Sequence, residues 1–227
     1  MTGASRRQQY SASTRRALVD VAADLFTEHG YAGTSLDAIV GGAQVTKGAL
    51  YHHFSGKQAL FAAVFEKTEK DAAAVIGKAL RTPADPWERA TAGLRAFLDV
   101  VQEPAYRRIV IQEGPAVLGY ARFREQEERS TFLLVQDLVS SVFSSADVAL
   151  GEPMTEIVSR IFFGAMSSAG ESVADAEDAR LASARVEAAI AYLIAAIRTL
   201  AESGVGLEDP AQAGGPPGPP GSPGSPA

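Results

Sequence analysis

Residues 30–60 have the sequence GYAGTSLDAIVGGAQVTKGALYHHFSGKQAL. Thr34 begins a T-x-x-D spacing that is typical of a helix start and predicts a short helix through Val40. After a tight connection, Thr46 can cap a second helix over residues 47–54. Two short helices joined by a turn of small residues predict a helix-turn-helix. The second helix of such a motif has the dimensions to lie in the DNA major groove.

The second helix of the motif carries residue types that suit this docking. Leu50 and Phe54 are four residues apart, so they share the face that packs on the first helix. The residues at the outward positions have small or polar side chains, which let the backbone and side chains approach base edges. Backbone N–H groups at both helix starts, and the side chains of Tyr51 and Lys57, can reach phosphates. The candidate DNA-binding residues are Thr34, Ser35, Thr46, Lys47, Gly48, Ala49, Tyr51, His52 and Lys57.

An amphipathic pattern precedes the motif. Apolar residues recur at three- and four-residue steps between positions 14 and 29, which predicts a helix. Gly30 follows, and glycine most easily takes the left-handed conformation found at a helix end. The sequence therefore predicts a three-helix unit over residues 14–60, preceded by a flexible arm over residues 1–13.

The stretch from Gly30 to Leu60 resembles the N-terminal DNA-binding domain of the tetracycline-repressor (TetR) family of bacterial regulators. The family pattern is matched by GY, TS, VTKGALYHHF and KQAL. The resemblance implies a homodimeric, ligand-responsive regulator that binds a palindromic operator in double-stranded DNA, in most members as a repressor. It also implies a helical body that encloses a small-molecule cavity and pairs with a second copy through its last two helices. Residues 109–125 resemble one C-terminal subtype.

Two departures from the family pattern affect the geometry of the motif. Gly41 and Gly42 weaken the end of the helix before the turn, each by about 1 kcal/mol relative to alanine in a helix interior. Gln44 occupies the turn where the family usually has glycine. A residue with a side chain is therefore expected to adopt an unusual turn conformation.

The remainder of the chain up to residue 204 also has helical periodicity, and no period-two alternation indicates a strand. Ser55 opens an S-x-x-Q capping box for the helix that follows, and Asp85 caps the next helix with Pro86 at its first position. A last helix is expected from about Asp178. Breaks between helices are predicted at residues 30–33, 82–85, 114–115 and 146–153.

The composition excludes several classes of protein. The chain has 227 residues and no cysteine. Disulfide scaffolds, thiolate metal sites, iron–sulfur clusters and cysteine nucleophiles are thereby excluded, and a reducing compartment is favoured. No apolar stretch approaches the roughly 18 residues that a membrane span needs, and no apolar segment follows Arg6 and Arg7 as an export signal requires. The sequence predicts a cytoplasmic protein with no membrane partner.

The charges are unevenly distributed along the chain. Its formal net charge is −6. Residues 1–57 hold six lysines or arginines against four acids, a balance of +2, whereas residues 58–227 hold 15 against 23, a balance of −8. All three histidines also lie in the first segment. This asymmetry favours a polyanion as the partner of the N-terminal segment.

The adjacent residues His52 and His53 invite a metal or acid–base interpretation. Neighbours on a helix point about 100° apart, and no His or carboxylate lies four residues along on the same face. We therefore expect no metal site; His52 is expected to contact DNA and His53 to pack partly on the neighbouring helix. No motif pairs a nucleophile with a base, so we expect no catalytic residue, no cofactor and no enzymatic activity.

The C-terminal part of the chain is rich in aromatic residues at helical spacing. Such residues more often form plain core, but the cavity that the family resemblance implies needs an apolar lining. The expected ligand is an apolar or aromatic small molecule, with Tyr106, Tyr120, Arg107 or Arg122 as polar anchors. The candidate pocket residues are Trp87, Phe97, Tyr106, Tyr120, Phe123, Phe162 and Met166.

Small residues cluster between positions 164 and 170. They lack the strand-turn-helix context and the G-x-x-x-x-G-K spacing of a nucleotide-binding loop, so close helix packing is the better interpretation. Ala188, Ala191 and Ala195 give the last helix a similar face, and together the two faces suggest a four-helix dimer seam. The same helix carries an apolar stripe that could face either the seam or its own core. The stripe consists of Val186, Ile190, Leu193, Ile197 and Leu200.

Together these features predict an all-α chain with an N-terminal three-helix helix-turn-helix DNA-binding domain and a C-terminal helical ligand-binding and dimerisation bundle over residues 61–204. Residues 205–227 are rich in Pro and Gly and are expected to form a disordered tail, because they bury too little apolar surface to order. One alternative function is a helical ligand- or partner-binding module with weak or no DNA binding. Another is an enzyme built on the helical body.

Overall fold

The computed structural model describes residues 3–129, 131–146, 150–205 and 207. The predicted tail therefore lies outside the described residues, apart from Val205 and Leu207. Over the described ranges the fold is all-α, as predicted, with no strand. No helix in these ranges is long and apolar enough to cross a bilayer. The helices are α1 (Gly3–Gly33), α2 (Leu36–Gly42), α3 (Lys47–His53), α4 (Lys57–Arg81), α5 (Pro86–Gln102), a π-helix (Tyr106–Glu113), α6 (Gly114–Leu118), α7 (Tyr120–Arg129), α8 (Thr131–Ser145), α9 (Glu152–Ala174) and α10 (Ala179–Glu202).

Helix α1 starts earlier than predicted. Residues 3–13, which we expected to form a flexible arm, are its first turns. After Gly3 this segment contains neither Pro nor a further Gly, and its Ala, Arg and Gln residues favour helix. At the other end Gly30 interrupts the helix with φ 71° and ψ 171°. The predicted helix end at Gly30 is therefore confirmed.

The head, defined as residues 14–60, is built from α1, α2 and α3. Leu18, Phe26 and Leu50 are almost completely buried in its core. Phe26 also packs against Phe61 on α4, with the ring centroids 5.3 Å apart. Each large apolar side chain buried in this way contributes about 1.5–3 kcal/mol. The core of the head is thus continuous with that of the following helices, and the predicted boundary at residue 60 falls inside α4.

The body, defined as residues 61–204, is a bundle in which α5 packs on α4 and α10, and α8 packs on α9. Asp85 caps α5 as predicted, with Pro86 at the first helical position. Asp178 caps α10, and its Oδ1 accepts a hydrogen bond from the Leu181 N–H at 3.0 Å. Local sequence signals therefore fix the starts of both helices.

The capping box predicted at Ser55 does not form. Gly56 occupies the N-cap of α4 and makes no side-chain hydrogen bond. The Gln58 side chain donates instead from Nε2 to the Val117 carbonyl oxygen at 2.7 Å. A tertiary hydrogen bond to α6 has thus replaced the local cap.

The segment after α5 also differs from the prediction. No break occurs at residues 114–115, because Gly114 has helical backbone angles and the π-helix continues directly into α6. The chain turns instead at Gly119, whose φ is 78° and ψ is 150°. A π-helix is rare and is frequently found at functional sites. This one lies between the head and the interior of the body.

Candidate nucleic-acid interface and internal cavity

Side-chain caps hold both helices of the helix-turn-helix. Ser35 Oγ accepts from the Ala38 N–H at 3.1 Å at the start of α2, and Thr46 Oγ1 accepts from the Ala49 N–H at 3.2 Å at the start of α3. Leu50 points inward and is only 1% exposed. The predicted cap and inward face of α3 are therefore confirmed.

Thr34 is not placed as the sequence suggested. It is 3% exposed, and its hydroxyl lies 2.8 Å from the Gly30 carbonyl oxygen and 3.0 Å from that of Leu25. The residue that caps α2 is Ser35, one position later. Because the Thr34 hydroxyl is buried against the end of α1, it cannot present itself to DNA.

The outer face of α3 is open to solvent. Tyr51 is 58% exposed, and Lys47, Gly48 and His52 are also exposed, while Ala49 is half-buried. These residues offer an ammonium donor, a phenol and an imidazole beside two positions with little or no side chain. The arrangement combines hydrogen-bonding groups with space for close backbone approach, as direct readout of base edges requires.

One contact on this face could not be anticipated from the sequence. Lys47 Nζ lies 2.6 Å from Asp37 Oδ1 on α2. The hydrogen bond to Asp37, followed by its negative charge, raises the pKa of the Lys47 ammonium group. The two residues are ten positions apart on different helices, so no local pattern links them. Asp37 orients Lys47 and offsets part of its positive charge.

The turn between α2 and α3 has the conformation that the Gln44 departure suggested. Gln44 has φ 54°, a left-handed value that residues with a side chain rarely adopt. Gly42 has a separate role, since a Cβ atom there would lie 2.7 Å from Val21 Cγ1 on α1. Glycine at position 42 therefore lets the end of α2 pack closely against α1. This close packing compensates for the low helix propensity of glycine.

Two cations flank the motif over aromatic rings. The Lys57 Nζ lies 4.4 Å from the ring centroid of Tyr31, and the Arg15 guanidinium carbon lies 5.3 Å from that of Phe54. Such contacts contribute about 0.5–1 kcal/mol at exposed sites. Lys57 is also the first residue of α4, where the helix dipole favours an anion.

The two adjacent histidines face different surroundings. Their ring centroids are 5.1 Å apart with the planes at 68°. His53 is half-buried, and burial, followed by the charges of His52 and Arg15, lowers the pKa of its imidazole. Among the described residues no group of three or more His, Cys, Asp or Glu side chains could hold a metal ion.

A small set of hydrogen bonds joins the head to the body. Glu113, at the end of the π-helix, accepts from the Tyr31 N–H at 2.8 Å through Oε2 and from Arg108 Nε at 3.2 Å through Oε1. The bond from Gln58 to the Val117 carbonyl oxygen also joins the head to the body. We call these five residues the junction. The two bonds between head and body join residues that are 82 and 59 positions apart in the sequence, so the sequence gives no signal for them.

The body encloses a cavity of about 290 Å³. Its wall is largely apolar and is formed by residues of α4, α5, the π-helix and α7 to α10. Tyr120 is 77% exposed and stands at the mouth. The arginine in the wall is Arg124, where we expected Arg107 or Arg122. The wall contains all seven residues singled out from the sequence: Trp87, Phe97, Tyr106, Tyr120, Phe123, Phe162 and Met166.

Two residues of the wall, Tyr106 and Thr131, hydrogen-bond to a buried carboxylate that lies behind them. Tyr106 Oη donates to Glu69 Oε1 at 3.0 Å, and Thr131 Oγ1 donates to Glu69 Oε2 at 3.4 Å. Glu69 is 2% exposed. It was missed because it lies in the charged run EKTEKD, residues 66–71, which resembles a solvated helix face. We call Glu69, Tyr106 and Thr131 the polar corner.

The outer face is the exposed apolar surface of α9 and α10. Ile157 and Ile161 on α9 and Tyr192, Leu193 and Leu200 on α10 are all more than half exposed. Scattered exposed apolar residues are ordinary, but a group of large ones on two packed helices marks an interaction surface.

The residues predicted at a dimer seam separate into two groups. Gly170 is buried in the body, and a Cβ atom there would lie 3.1 Å from the Phe97 ring. In the apolar stripe of α10, Ile190 and Ile197 line the cavity, whereas Leu193 and Leu200 are exposed. The stripe that looked continuous in sequence therefore serves both the interior and the outer face.

Comparison with known proteins identifies the family. Residues 18–64 match the family described as "Bacterial regulatory proteins, tetR family", and residues 87–197 match "Tetracyclin repressor-like, C-terminal domain". The solved structure of a TetR-family transcriptional regulator from Pectobacterium atrosepticum is 31% identical, with a TM-score of 0.72. The match covers 82% of this chain and 94% of that one. The chain belongs to the TetR family.

Curated TetR-family relatives match over shorter segments. The transposon Tn10 TetC protein of Escherichia coli is 33% identical over 123 residues, which are 53% of this chain and 60% of TetC. The HTH-type transcriptional activator FasR of Mycolicibacterium smegmatis is 34% identical over 97 residues, 42% of this chain and 44% of FasR. The chain thus spans about half the length of these curated relatives.

Proposed function

We propose that this TetR-family chain is a homodimeric transcriptional regulator that binds a palindromic DNA operator and responds to a small molecule. The observation that carries the proposal is α3, whose inward residue Leu50 is buried while Lys47, Tyr51 and His52 are exposed. A capped helix held in this way can enter the major groove as a rigid unit. In this proposal the protein is a repressor that the small molecule releases from its operator.

The DNA contacts divide into two classes. Side chains in the middle of α3, such as His52, read base edges, while Lys57 and the backbone N–H groups at the starts of α2 and α3 hold phosphates. Thr34 is withdrawn from the set because it is buried. Two heads of a dimer would contact half-sites about one helical turn apart, roughly 34–36 Å, or a small multiple of that distance. The proposed contacts are Ser35, Thr46, Lys47, Gly48, Ala49, Tyr51, His52 and Lys57.

The cavity in the body is the proposed effector site. Its volume of about 290 Å³ and its largely apolar wall suit a small apolar or aromatic molecule. Tyr120 at the mouth and Arg124 in the wall are the residues best placed to meet polar groups near the entrance.

The π-helix is the proposed route between the cavity and the head. Tyr106, Val110 and Ile111 of this helix line the cavity, and Glu113 at its end binds the Tyr31 N–H at the end of α1. The π-helix is proposed to exchange between two positions, each of which places the head differently. A ligand that binds one of these positions more tightly shifts the population toward it and so changes the position of the head. Bound operator DNA then lowers the affinity for the ligand, and bound ligand lowers the affinity for DNA by the same factor, which is set by the coupling free energy.

The outer face of α9 and α10 is the proposed dimer surface. A second copy would cover Ile161 and Tyr192, the most exposed large apolar residues of the two helices. Exposed Ala188 and Ala195 lie on α10 among these larger residues and allow close helix approach. Dimerisation on this face sets the distance between the two heads.

The proposal assigns the chain no catalytic activity, no cofactor, no metal and no membrane partner, and places it in the cytoplasm with operator DNA. It is supported by two relatives, one described as a transcriptional activator and the other as a TetR-family transcriptional regulator. The alternative is a helical ligand- or partner-binding module whose head has weak or no affinity for DNA. The Lys47–Asp37 ion pair favours this alternative, because Asp37 offsets positive charge on the face that would meet phosphates.

An electrophoretic mobility shift on fragments of the source genome tests the DNA-binding proposal. We expect retention of a fragment that contains a partial palindrome. Tyr51→Ala should weaken that complex about tenfold or more, since one good contact to a base or phosphate contributes about 1–3 kcal/mol. Val75→Ala, which truncates an exposed side chain on α4 outside the head and the cavity wall, is the control and should bind normally. Failure to retain any fragment at low salt would favour the alternative.

A further inference from the structure

The positive charge of the N-terminal part of the chain is concentrated at its very start. Residues 1–16 contain four arginines, at positions 6, 7, 15 and 16, and neither Asp nor Glu. Residues 17–57, which include the whole helix-turn-helix, contain two lysines against four acids, a balance of −2. The positive balance of residues 1–57 therefore comes entirely from residues 1–16.

The two lysines that follow are a small source of attraction for DNA. Lys47 Nζ lies 2.6 Å from Asp37 Oδ1, so a carboxylate accompanies this cation on the surface that would meet phosphates. Lys57 adds one more cation at the start of α4. The electrostatic part of DNA affinity depends on the number of phosphates that cations neutralise. The helix-turn-helix and Lys57 by themselves therefore supply little of it.

The four arginines belong to a helix that the rest of the head leaves uncovered. Residues 3–16, which we call the basic segment, are the first turns of α1. Residues 8–13 are all exposed, as are Arg15 and Arg16, and Tyr10 is 68% exposed. A short helix without tertiary packing is only marginally stable in water, so a partner that covers the basic segment would also stabilise it.

Arg15 places the basic segment beside α3. Its guanidinium carbon lies 5.3 Å from the ring centroid of Phe54, the C-cap residue of α3. Its charge also acts on the neighbouring His53, where it adds to the effects of burial and of His52 in lowering the pKa of the imidazole. From this point the helix continues toward Gly3, and a helix places residues nine positions apart, such as Arg6 and Arg15, about 13 Å apart along its axis. The basic segment thus starts at the edge of the surface proposed to meet DNA.

The composition of the basic segment indicates the chemistry of its partner. Between Gly3 and Arg16 the apolar residues are Ala4, Tyr10 and Ala12. A helix that lies on a membrane or docks in a protein groove needs a continuous apolar face, which this segment lacks. Arginine side chains bind phosphate oxygens well, because the guanidinium group presents several donors in one plane. A phosphate polyanion is therefore favoured, and the position beside α3 favours the same duplex that α3 would contact.

We infer that the basic segment is a second DNA-binding element of the head, which binds phosphates of the duplex beside α3 and supplies most of the head's electrostatic attraction for DNA. This inference rests on the proposal that the head binds an operator, and it adds a contact surface outside the helix-turn-helix. Phosphates carry no sequence information directly. The basic segment should therefore strengthen the binding of operator and unrelated DNA by a similar factor.

Removal of charge from the full chain tests this inference. The variant Arg6→Gln/Arg7→Gln/Arg16→Gln replaces three arginines by a neutral residue of similar helix propensity. Fluorescence anisotropy measures its affinity for an operator fragment and for an unrelated fragment of equal length over a range of salt concentrations. For both fragments we expect the magnitude of the slope of log affinity against log salt to fall by about 3. Both affinities should fall about a hundredfold or more at about 0.1 M salt, with their ratio unchanged.

Two further triple variants separate charge from other effects. Lys70→Gln/Lys78→Gln/Arg81→Gln removes three exposed cations of α4 outside the head and should leave both slopes unchanged. Arg6→Lys/Arg7→Lys/Arg16→Lys keeps the charges and should keep the original slopes, which a merely structural role of the arginines does not predict. Circular dichroism checks that each variant is folded. If the triple glutamine variant is not, Arg16→Gln alone replaces it and should lower the magnitude of the slope by about 1.

The outcomes distinguish this inference from the DNA-binding proposal. If the original chain binds the operator and the folded glutamine variant has an unchanged slope, the inference is wrong and the proposal stands. A loss confined to the operator fragment would show that the basic segment reads bases, and a slope change no larger than that of Lys57→Ala would show that it supplies no more than one ordinary contact. Either result contradicts the inference. Absence of any DNA binding by the original chain at low salt would overturn both.

Discussion

In the head, large apolar side chains such as Phe26 and Leu50 face inward and the polar side chains of α3 face solvent. In the body, apolar residues also line an internal cavity, and others such as Ile161 and Tyr192 remain exposed on the outer face. The head thus presents its binding surface on the outside of a closed core. The body keeps two apolar surfaces that a small molecule and a second chain can cover.

Because the two regions bind different partners, substitutions in them should have different effects. A change on the outside of the head should alter DNA binding without altering the cavity, and a change in the cavity wall should do the reverse. The junction is the exception, because Glu113 belongs to the body and binds the Tyr31 N–H of the head. Four substitutions probe this division, from the largest expected effect to the smallest.

Ala195→Glu on the outer face should split the dimer while both regions stay folded. Two-fold symmetry brings two copies of the new carboxylate into the interface, and a buried charge without a partner costs about 3–5 kcal/mol. Light scattering should report the mass of one chain, with an unchanged circular dichroism spectrum. Ala74→Glu, at an exposed position of α4, is the control and should leave the dimer intact. A full-size dimer of Ala195→Glu would place the seam elsewhere.

Leu50→Ala should damage the head and spare the body. Removing this buried side chain is expected to lower the free energy of unfolding by about 2–5 kcal/mol and to abolish operator binding. Urea unfolding measures the first effect, and titration with a small apolar aromatic probe such as biphenyl tests whether the cavity survives. The exposed neighbour variant Tyr51→Ala should change stability by no more than about 0.5 kcal/mol. Loss of the cavity together with the head would show that the two regions fold as one unit.

Glu113→Ala should uncouple the two regions and leave each able to bind. It removes the acceptor of the Tyr31 N–H and the partner of Arg108. In the original chain, a coupling free energy of about 1–3 kcal/mol corresponds to a roughly 5- to 150-fold difference between the ligand affinities measured with and without operator. In Glu113→Ala this ratio should fall toward one. Glu125→Ala breaks an exposed ion pair on α7 and serves as the control. An unchanged ratio in Glu113→Ala would exclude the junction as the route.

Lys57→Ala should weaken every DNA sequence to a similar degree. Because a phosphate contact carries no base preference, the magnitude of the slope of log affinity against log salt should fall by about 1. Lys78→Ala, at an exposed position near the end of α4, is the matched control. A change in base preference with an unaltered slope would show that Lys57 reads bases.

The features predicted from sequence are those set by neighbours along the chain. Thr46, Asp85 and Asp178 cap helices because a side-chain oxygen reaches an N–H two or three residues away. Gln44 was expected to adopt an unusual turn conformation because the family that the motif resembles usually has glycine at this position. Such signals lie within a few residues, so one sequence suffices to find them.

The features missed are set by contacts across the fold. Glu69 looked like part of a solvated run, and only the packing of α4 against the π-helix and α8 buries it beside Tyr106 and Thr131. The capping box at Ser55 failed for the same reason, since Gln58 found a tertiary partner in α6. The aromatic composition of the cavity wall was predictable, but the buried carboxylate that hydrogen-bonds to two of its residues was not.

The winding of the π-helix has a consequence for how the protein can be retuned. In an α-helix, residues five positions apart point about 140° away from each other, whereas the wider turn of a π-helix, with hydrogen bonds from residue i to i+5, brings them closer to one side. Tyr106 and Ile111 both line the cavity for this reason, while Glu113 points to the head. A one-residue deletion in this segment would rotate the residues that line the cavity relative to the residue that contacts the head. The coupling between ligand and DNA can therefore be reset by segment length alone, without any change at either binding surface.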